Sequence, residues 1–138
     1  LSFIINKTAI ISVDYELLDY SSSNLSADFY NYTDTNNQIE NYYTRTKNIR
    51  LGGELRIHPQ LSLRGGYAYY DSPFAVNYND SSQEYFTLGA GLKVNQYFFD
   101  MALVNMLSDK DTYIYDGAFA ASINSAKSQV ILSAGLKF

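Results

Sequence analysis

Apolar and polar residues alternate along most of this chain, with a period of two. Over residues 8–18, Ala9, Ile11, Val13, Tyr15 and Leu17 fall on one side of an extended backbone, and Ile10, Ser12, Asp14 and Glu16 on the other. The same alternation recurs over residues 47–58, 61–70, 85–94, 97–106 and 127–138, with apolar sets such as Ile49, Leu51, Leu55 and Ile57, or Phe86, Leu88, Leu92 and Val94. A strand turns successive side chains to opposite faces, so each segment predicts a strand with one apolar face. Residues 1–5 predict the tail of a seventh strand, turned at Asn6 and Lys7.

With this phase, nine charges inside the predicted strands fall on the less apolar face: Asp14, Glu16, Arg50, Glu54, Arg56, Arg64, Lys93, Asp100 and Lys137. Gly52, Gly66, Gly89, Gly91 and Gly135 share that face, with Ala68 and Ala102. Small and charged residues together suit an enclosed polar lumen better than a dry core. The connections alternate in length. Asn6 with Lys7, His58 with Pro59 and Gln60, and Asn95 with Gln96 mark tight turns, whereas residues 19–46, 71–84 and 107–126 form long connections rich in Ser, Asn, Asp and Tyr. Short turns at one end and long loops at the other are the pattern of outer-membrane barrels. Tyr30, Tyr32, Tyr42, Tyr43, Tyr78, Tyr113 and Tyr115 predict loops that pack on one another.

Composition narrows the alternatives. The chain has 138 residues, with 17% charged and 16% aromatic, the latter being 14 Tyr and 8 Phe with no Trp. Tyr favours strands and membrane interfaces. The net charge of −4 disfavours nucleic acid, which needs a basic surface. The lack of Cys removes disulfides and thiolate chemistry. No apolar run approaches the ~18 residues of a membrane helix, but a membrane strand needs only ~9–11 alternating ones. The opening Leu1-Ser2-Phe3-Ile4-Ile5 carries neither Met nor a basic leader, as expected of a mature or truncated chain that begins inside a strand.

A more specific expectation comes from motifs between residues 49 and 106. In order they are Arg50-Leu51-Gly52-Gly53-Glu54, Leu63-Arg64-Gly65-Gly66-Tyr67, Asp71-Ser72-Pro73, Tyr85-Phe86-Thr87-Leu88-Gly89-Ala90-Gly91 and Phe99-Asp100-Met101-Ala102. In order and spacing they resemble the FadL/TodX family of outer-membrane transporters for long-chain fatty acids and other hydrophobic compounds. The Asp-Ser-Pro entry after an Arg-x-Gly strand is the most specific part. The resemblance implies a fourteen-stranded barrel in the bacterial outer membrane, whose N-terminal hatch has no counterpart in these residues. The chain, residues 1–138, would be the C-terminal half of a single all-β, antiparallel up-and-down transmembrane β-barrel domain. It would contribute six to seven strands, with no second domain. Implied partners are the lipid bilayer, hydrophobic small molecules, the remaining N-terminal half of the barrel, and the barrel-assembly machinery through the terminal Phe138. The implied activity is passive uptake, not catalysis, and needs no cofactor or metal.

His58 precedes Pro59 in a tight turn, a poor place for imidazole chemistry or a Ser-His hydrolase. Asp14 and Glu16 share a face and suggest an ion network with Arg50, Arg56 and Arg64 in preference to a carboxylate pair for catalysis. The same three arginines are the candidates for holding a ligand carboxylate. Asp109, Asp111 and Asp116 lack the spacing of a calcium loop and predict a solvated surface. The rival readings are a general porin, a structural or adhesion barrel using its Tyr-rich loops, and a soluble ligand-binding barrel. The last requires apolar residues inside and charges outside.

Overall fold

A computed structural model of the chain describes residues 1–75, 81–112 and 121–137. The strands are β1 (Ser2–Ile5), β2 (Ala9–Asp19), β3 (Arg45–His58), β4 (Leu61–Tyr70), β5 (Gln83–Val94), β6 (Tyr97–Thr112) and β7 (Ala121–Leu136). One helix, α1 (Thr33–Tyr42), interrupts the series between β2 and β3. The strands form a single sheet in sequence order, each antiparallel to the next. The fold is therefore all-β, with seven up-and-down strands.

Turn chemistry fixes the hairpins. Asn6 and Lys7 both take positive φ, 48° and 57°, which gives the tight reversal whose twist matches two antiparallel strands. Thr8 closes it by donating its N–H to Ile5 O at 2.9 Å. Asn95 takes φ 54° in the β5–β6 turn, and asparagine tolerates this region better than most side chains. The β3–β4 turn uses Pro59 and Gln60, and the register slips by one residue between Arg56 and His58. That slip places the extra residue at the strand end, where a bulge disturbs the ladder least.

The registers determine the faces, because directly opposed residues project to the same side. Asp14 lies opposite Arg50, and Arg50 opposite Ala68. Glu54 lies opposite Arg64, Arg64 opposite Gly89, and Gly91 opposite Asp100. The other face takes Val13, Leu51, Tyr67, Phe86, Leu88, Leu103 and Val130. Its first charges appear only toward the long connections, at Asp19, Arg45, Lys47, Glu84 and Asp109. Among the described residues no apolar side chain is buried: Leu88 is 67% exposed and Leu132 74%. Neither face of the sheet packs on an apolar core among the described residues.

Three features differ from the sequence-based expectations. The stretch from 19 to 46 contains α1, where only an irregular loop was predicted. Its sequence, with Thr33, Asp34, Asn36 and Asn37 in the first turns, is a poor helix former without an apolar stripe. Side-chain hydrogen bonds within the connection support it instead. Asn31 Oδ1 accepts from Thr33 N at 2.9 Å before the first turn, and the Asn36 side chain donates to Asn24 Oδ1 at 2.9 Å. The connection predicted over 107–126 is shorter, since the β6–β7 ladder runs through Asp109, Lys110 and Asp111 opposite Asn124, Ile123 and Ser122. Backbone pairing needs no apolar side chains, so a polar hairpin tip extends beyond the alternating pattern. The last strand ends at Leu136, one residue before Lys137. Tyr78, Tyr113, Tyr115, Asp116 and Phe138, on which further expectations rest, lie outside the described residues.

The loops meet as the tyrosines predicted where they are described. Tyr43 bridges to Phe74 with ring centroids 5.3 Å apart, Thr44 N donates to Pro73 O at 2.9 Å, and Ala75 N donates to Tyr42 O at 2.9 Å. The Asp-Ser-Pro segment has a structural role here. Asp71 accepts from Ser72 N at 3.1 Å and from Lys47 N at 3.4 Å, and Ser72 Oγ accepts from Phe74 N at 3.3 Å and Ser81 N at 3.2 Å. Removing the carboxylate by Asp71→Ala is expected to cost about 1 kcal/mol, the usual net value of such bonds. The unfolding midpoint in denaturant measures it, and an unchanged midpoint rules out this structural role.

Candidate functional site: the charged face of the sheet

The charged face holds two ionic clusters separated by a row of small residues. The first lies toward the long connections. Arg50 donates to Asp14, to Glu16 Oε2 at 2.6 Å, and through Nε to the Tyr70 hydroxyl at 3.2 Å. Asn48, buried to 8% exposure, donates to Glu16 at 3.1 Å and accepts the Asp71 N–H at 3.2 Å. The Arg50 guanidinium also sits 5.3 Å from the Tyr70 ring centre, and Tyr70 meets Tyr85 edge-on at 5.7 Å. One arginine thus ties together three strands, β2, β3 and β4.

The separating row is Ser12, Gly52, Gly66 and Thr87. A Cβ on Gly66 would come within 2.7 Å of Thr87 Oγ1 and one on Gly52 within 2.8 Å of Ser12 Oγ, so these glycines make room for the hydroxyls opposite them.

The second cluster lies toward the tight turns. Arg64 on β4 donates through Nε to Glu54 on β3 at 2.8 Å and through Nη1 to Asp100 on β6 at 2.6 Å. The second contact reaches across β5, and Gly89 and Gly91 are what that strand offers beneath it. A Cβ on Gly91 would stand 2.5 Å from Asp100 Oδ1 and 3.1 Å from Arg64 Nη1. These pairs are partly solvent-accessible in the open sheet, with Arg64, Glu54 and Asp100 side chains 47%, 29% and 33% exposed, and in that setting each stabilises the fold only modestly.

Outside the apolar band, Asp19 accepts from Ser21 Oγ at 2.6 Å and pairs with Arg45 at 2.9 Å. The Ser21 hydroxyl and then the Arg45 guanidinium hold its carboxyl below the ordinary value.

The three arginines singled out from sequence therefore have different surroundings. Arg50 joins Asp14 and Glu16 as expected. Arg64 instead pairs with Glu54 and Asp100, and Arg56 belongs to neither cluster. Among the described residues the Arg56 side chain has no ion-pair or hydrogen-bond partner. The sequence reading missed Asn48, Tyr70 and Tyr85 as network members. The parity of β4 was the available signal for Tyr70, which follows Ala68 on the charged face. His58 Nδ1 accepts from Gln60 N at 3.4 Å within its own turn. Among the described residues no group of three or more His, Asp or Glu is placed to hold a metal ion.

Comparisons with protein-family models, with curated proteins and with solved structures find no match to the chain.

Proposed function

We propose that this sheet is part of the wall of a bacterial outer-membrane β-barrel, and that the barrel lets hydrophobic molecules enter passively. The observation that carries this reading is the division of the faces. Along the middle of the sheet one face is apolar and, among the described residues, uncovered, while Asp14, Glu16, Arg50, Glu54, Arg64 and Asp100 share the other. A soluble domain of this size stabilises itself by covering such a face, and an aqueous sheet of this kind would be an aggregation liability. Hydrocarbon as the covering medium resolves the conflict, because strand pairing satisfies the backbone within the sheet.

The dimensions agree with this reading. Each apolar stretch of about nine residues rises about 3.4 Å per residue and, tilted by about 40°, crosses roughly 20–25 Å, near the apolar height of such barrels. Aromatic residues flank the band. Tyr15, Tyr67, Tyr69 and Phe86 lie toward the long connections, with Tyr67 and Phe86 rings 5.1 Å apart, and Tyr97 and Phe99 lie toward the tight turns. Girdles at both interfaces are the pattern for membrane strands. With seven antiparallel strands, β1 and β7 run in the same direction, so all-antiparallel closure takes an odd number of further strands. Seven more would meet that condition and give the fourteen of the FadL/TodX family, which the chain resembles in its motifs.

A hydrophobic cargo is inferred from that resemblance, since one architecture serves many functions. A general porin is the second reading, favoured by the ionic clusters that would line the lumen. Expression of the protein in a bacterial host should accelerate entry of an uncharged hydrophobic dye through the outer membrane, without release of periplasmic enzymes. It should leave sugar-driven swelling of reconstituted vesicles at background. Rapid swelling with sugars would replace uptake by the porin reading, and recovery of the protein outside the membrane fraction would reject both.

A further inference from the structure

A groove of about 570 Å³ opens on the charged face at the tight-turn end, with Pro59, Phe98 and Tyr97 among its walls. Its charges do not cancel. Among the described residues, Arg56, Arg64, Lys93 and Lys137 line it against Glu54 and Asp100 alone, in a chain whose net charge is −4. Arg64 is already committed, since both carboxylates bind it, at 2.8 and 2.6 Å. Among the described residues the side chains of Arg56, Lys93 and Lys137 have no hydrogen-bond or ion-pair partner.

Their positions follow from the registers. Arg56 is opposite Ser62, Ser62 is opposite Gly91, and Lys93 in the next row is opposite Phe98, which faces Gly135. Lys137 follows Gly135 and is fixed by its N–H bond to Gln96 O at 2.7 Å. Three strands, β3, β5 and the end of β7, thus each deliver one long cationic side chain to one groove. Gly91 lies between them on its floor, and Ser62 and Gln60 supply neutral polar groups. Cations gathered without counter-charges repel one another, and an anion in the groove reverses the sign of that interaction. Guanidinium and ammonium groups are also the strongest donors to phosphate and carboxylate oxygens.

We propose that this groove binds an oxyanion, either a free inorganic anion or the head group of an anionic amphiphile, with Arg56, Lys93 and Lys137 as its ligands. The site would be a last station at the tight-turn mouth of the lumen. That role in passage rests on the barrel reading, whereas the binding itself does not.

The test uses the complete protein held in a neutral amphipol, with inorganic phosphate and octyl phosphate as probes. Phosphate should bind saturably to wild type. The triple variant Arg56→Gln/Lys93→Gln/Lys137→Gln should bind at least tenfold more weakly. Arg56→Lys should keep most of the affinity. Lys47→Gln/Lys110→Gln, which removes charge at the opposite end, should leave it unchanged. Octyl phosphate binding tenfold tighter than phosphate, after subtraction of the triple variant's uptake, identifies an amphiphile, and equal affinity identifies a free anion. Absence of saturable binding to wild type, or an equal loss in the opposite-end variant, overturns the proposal. Should the triple variant lose its strand signal in circular dichroism, the three single variants carry the test. Each should weaken binding twofold to fivefold, and unchanged binding in all three overturns the site. Membrane insertion is scored separately in vesicles, so a protein that inserts without binding phosphate sinks this site alone.

Discussion

Leu88→Arg is expected to destabilise the protein in a bilayer by about 2–4 kcal/mol, the range for a cation at the midplane of a membrane barrel's lipid face. Leu88 lies midway along the apolar face, opposite Leu103 on β6 and Gly65 on β4. It is 67% exposed in the sheet, and in water an exposed Leu→Arg change usually falls within ±0.5 kcal/mol. The two solvents therefore predict different outcomes for one substitution. The partner experiment is Gln129→Arg, at similar depth on β7 and on the charged face opposite Val104. It should be nearly neutral, because its side chain would meet the polar side of the wall. Denaturant unfolding from vesicles measures both. Equal effects of the two substitutions, whether both small or both large, would remove the basis for assigning hydrocarbon to the Leu88 side.

The second large effect is expected at Gly91. Gly91→Val should cost about 1–3 kcal/mol, the usual range for an overpacked position. The Cβ alone would stand 2.5 Å from Asp100 Oδ1 and 3.1 Å from Arg64 Nη1, so the contact that bridges β4 to β6 across β5 must break or move. Removing the obstructed partner should recover part of the loss. Gly91→Val/Asp100→Gly is therefore expected to be more stable than Gly91→Val alone, although it lacks the ion pair. Unfolding midpoints of the four proteins in this cycle give the coupling, and strictly additive losses would show that Gly91 is not there to clear space for the bridge. Gly65, on the other face of β4, is the comparison. A Cβ there meets Leu88 Cδ2 at 3.8 Å, ordinary contact, so Gly65→Ala should be mild.

Much of the fold was legible in the order of residues because strand structure is written with period two. The alternation from Leu61 to Tyr70 gave that strand its observed limits, and Asn6 and Lys7 announced the first turn by residue type. The face assignment also followed from parity: charges such as Glu54, Arg64 and Asp100, on three different strands, share one side. The misses occurred where local pattern carries no instruction. Helix α1 has no apolar stripe and weak propensity, and contacts around Asn36 and Tyr43 maintain it. The extension of β6 and β7 past Met106 involves Asp109, Lys110 and Asp111, whose side chains give no strand signal, while their backbone groups pair as well as any.

The candidate site divides along the same line. Sequence alone determined the composition of the two faces, because the repeat of a strand assigns each side chain a side. It also determined the position of the tight turns, through residues that accept their dihedral angles. Only the tertiary structure decided which charges meet. Arg64 sits thirty-six positions from Asp100 in the chain, and the register of three strands, with glycine in the middle one, brings them to 2.6 Å. The same register leaves Arg56 without an ion-pair partner among the described residues. Pairing depends on register, and register is a property of the assembled sheet. A stretch of sequence can specify that a charge faces one side, but not which distant charge will lie beside it.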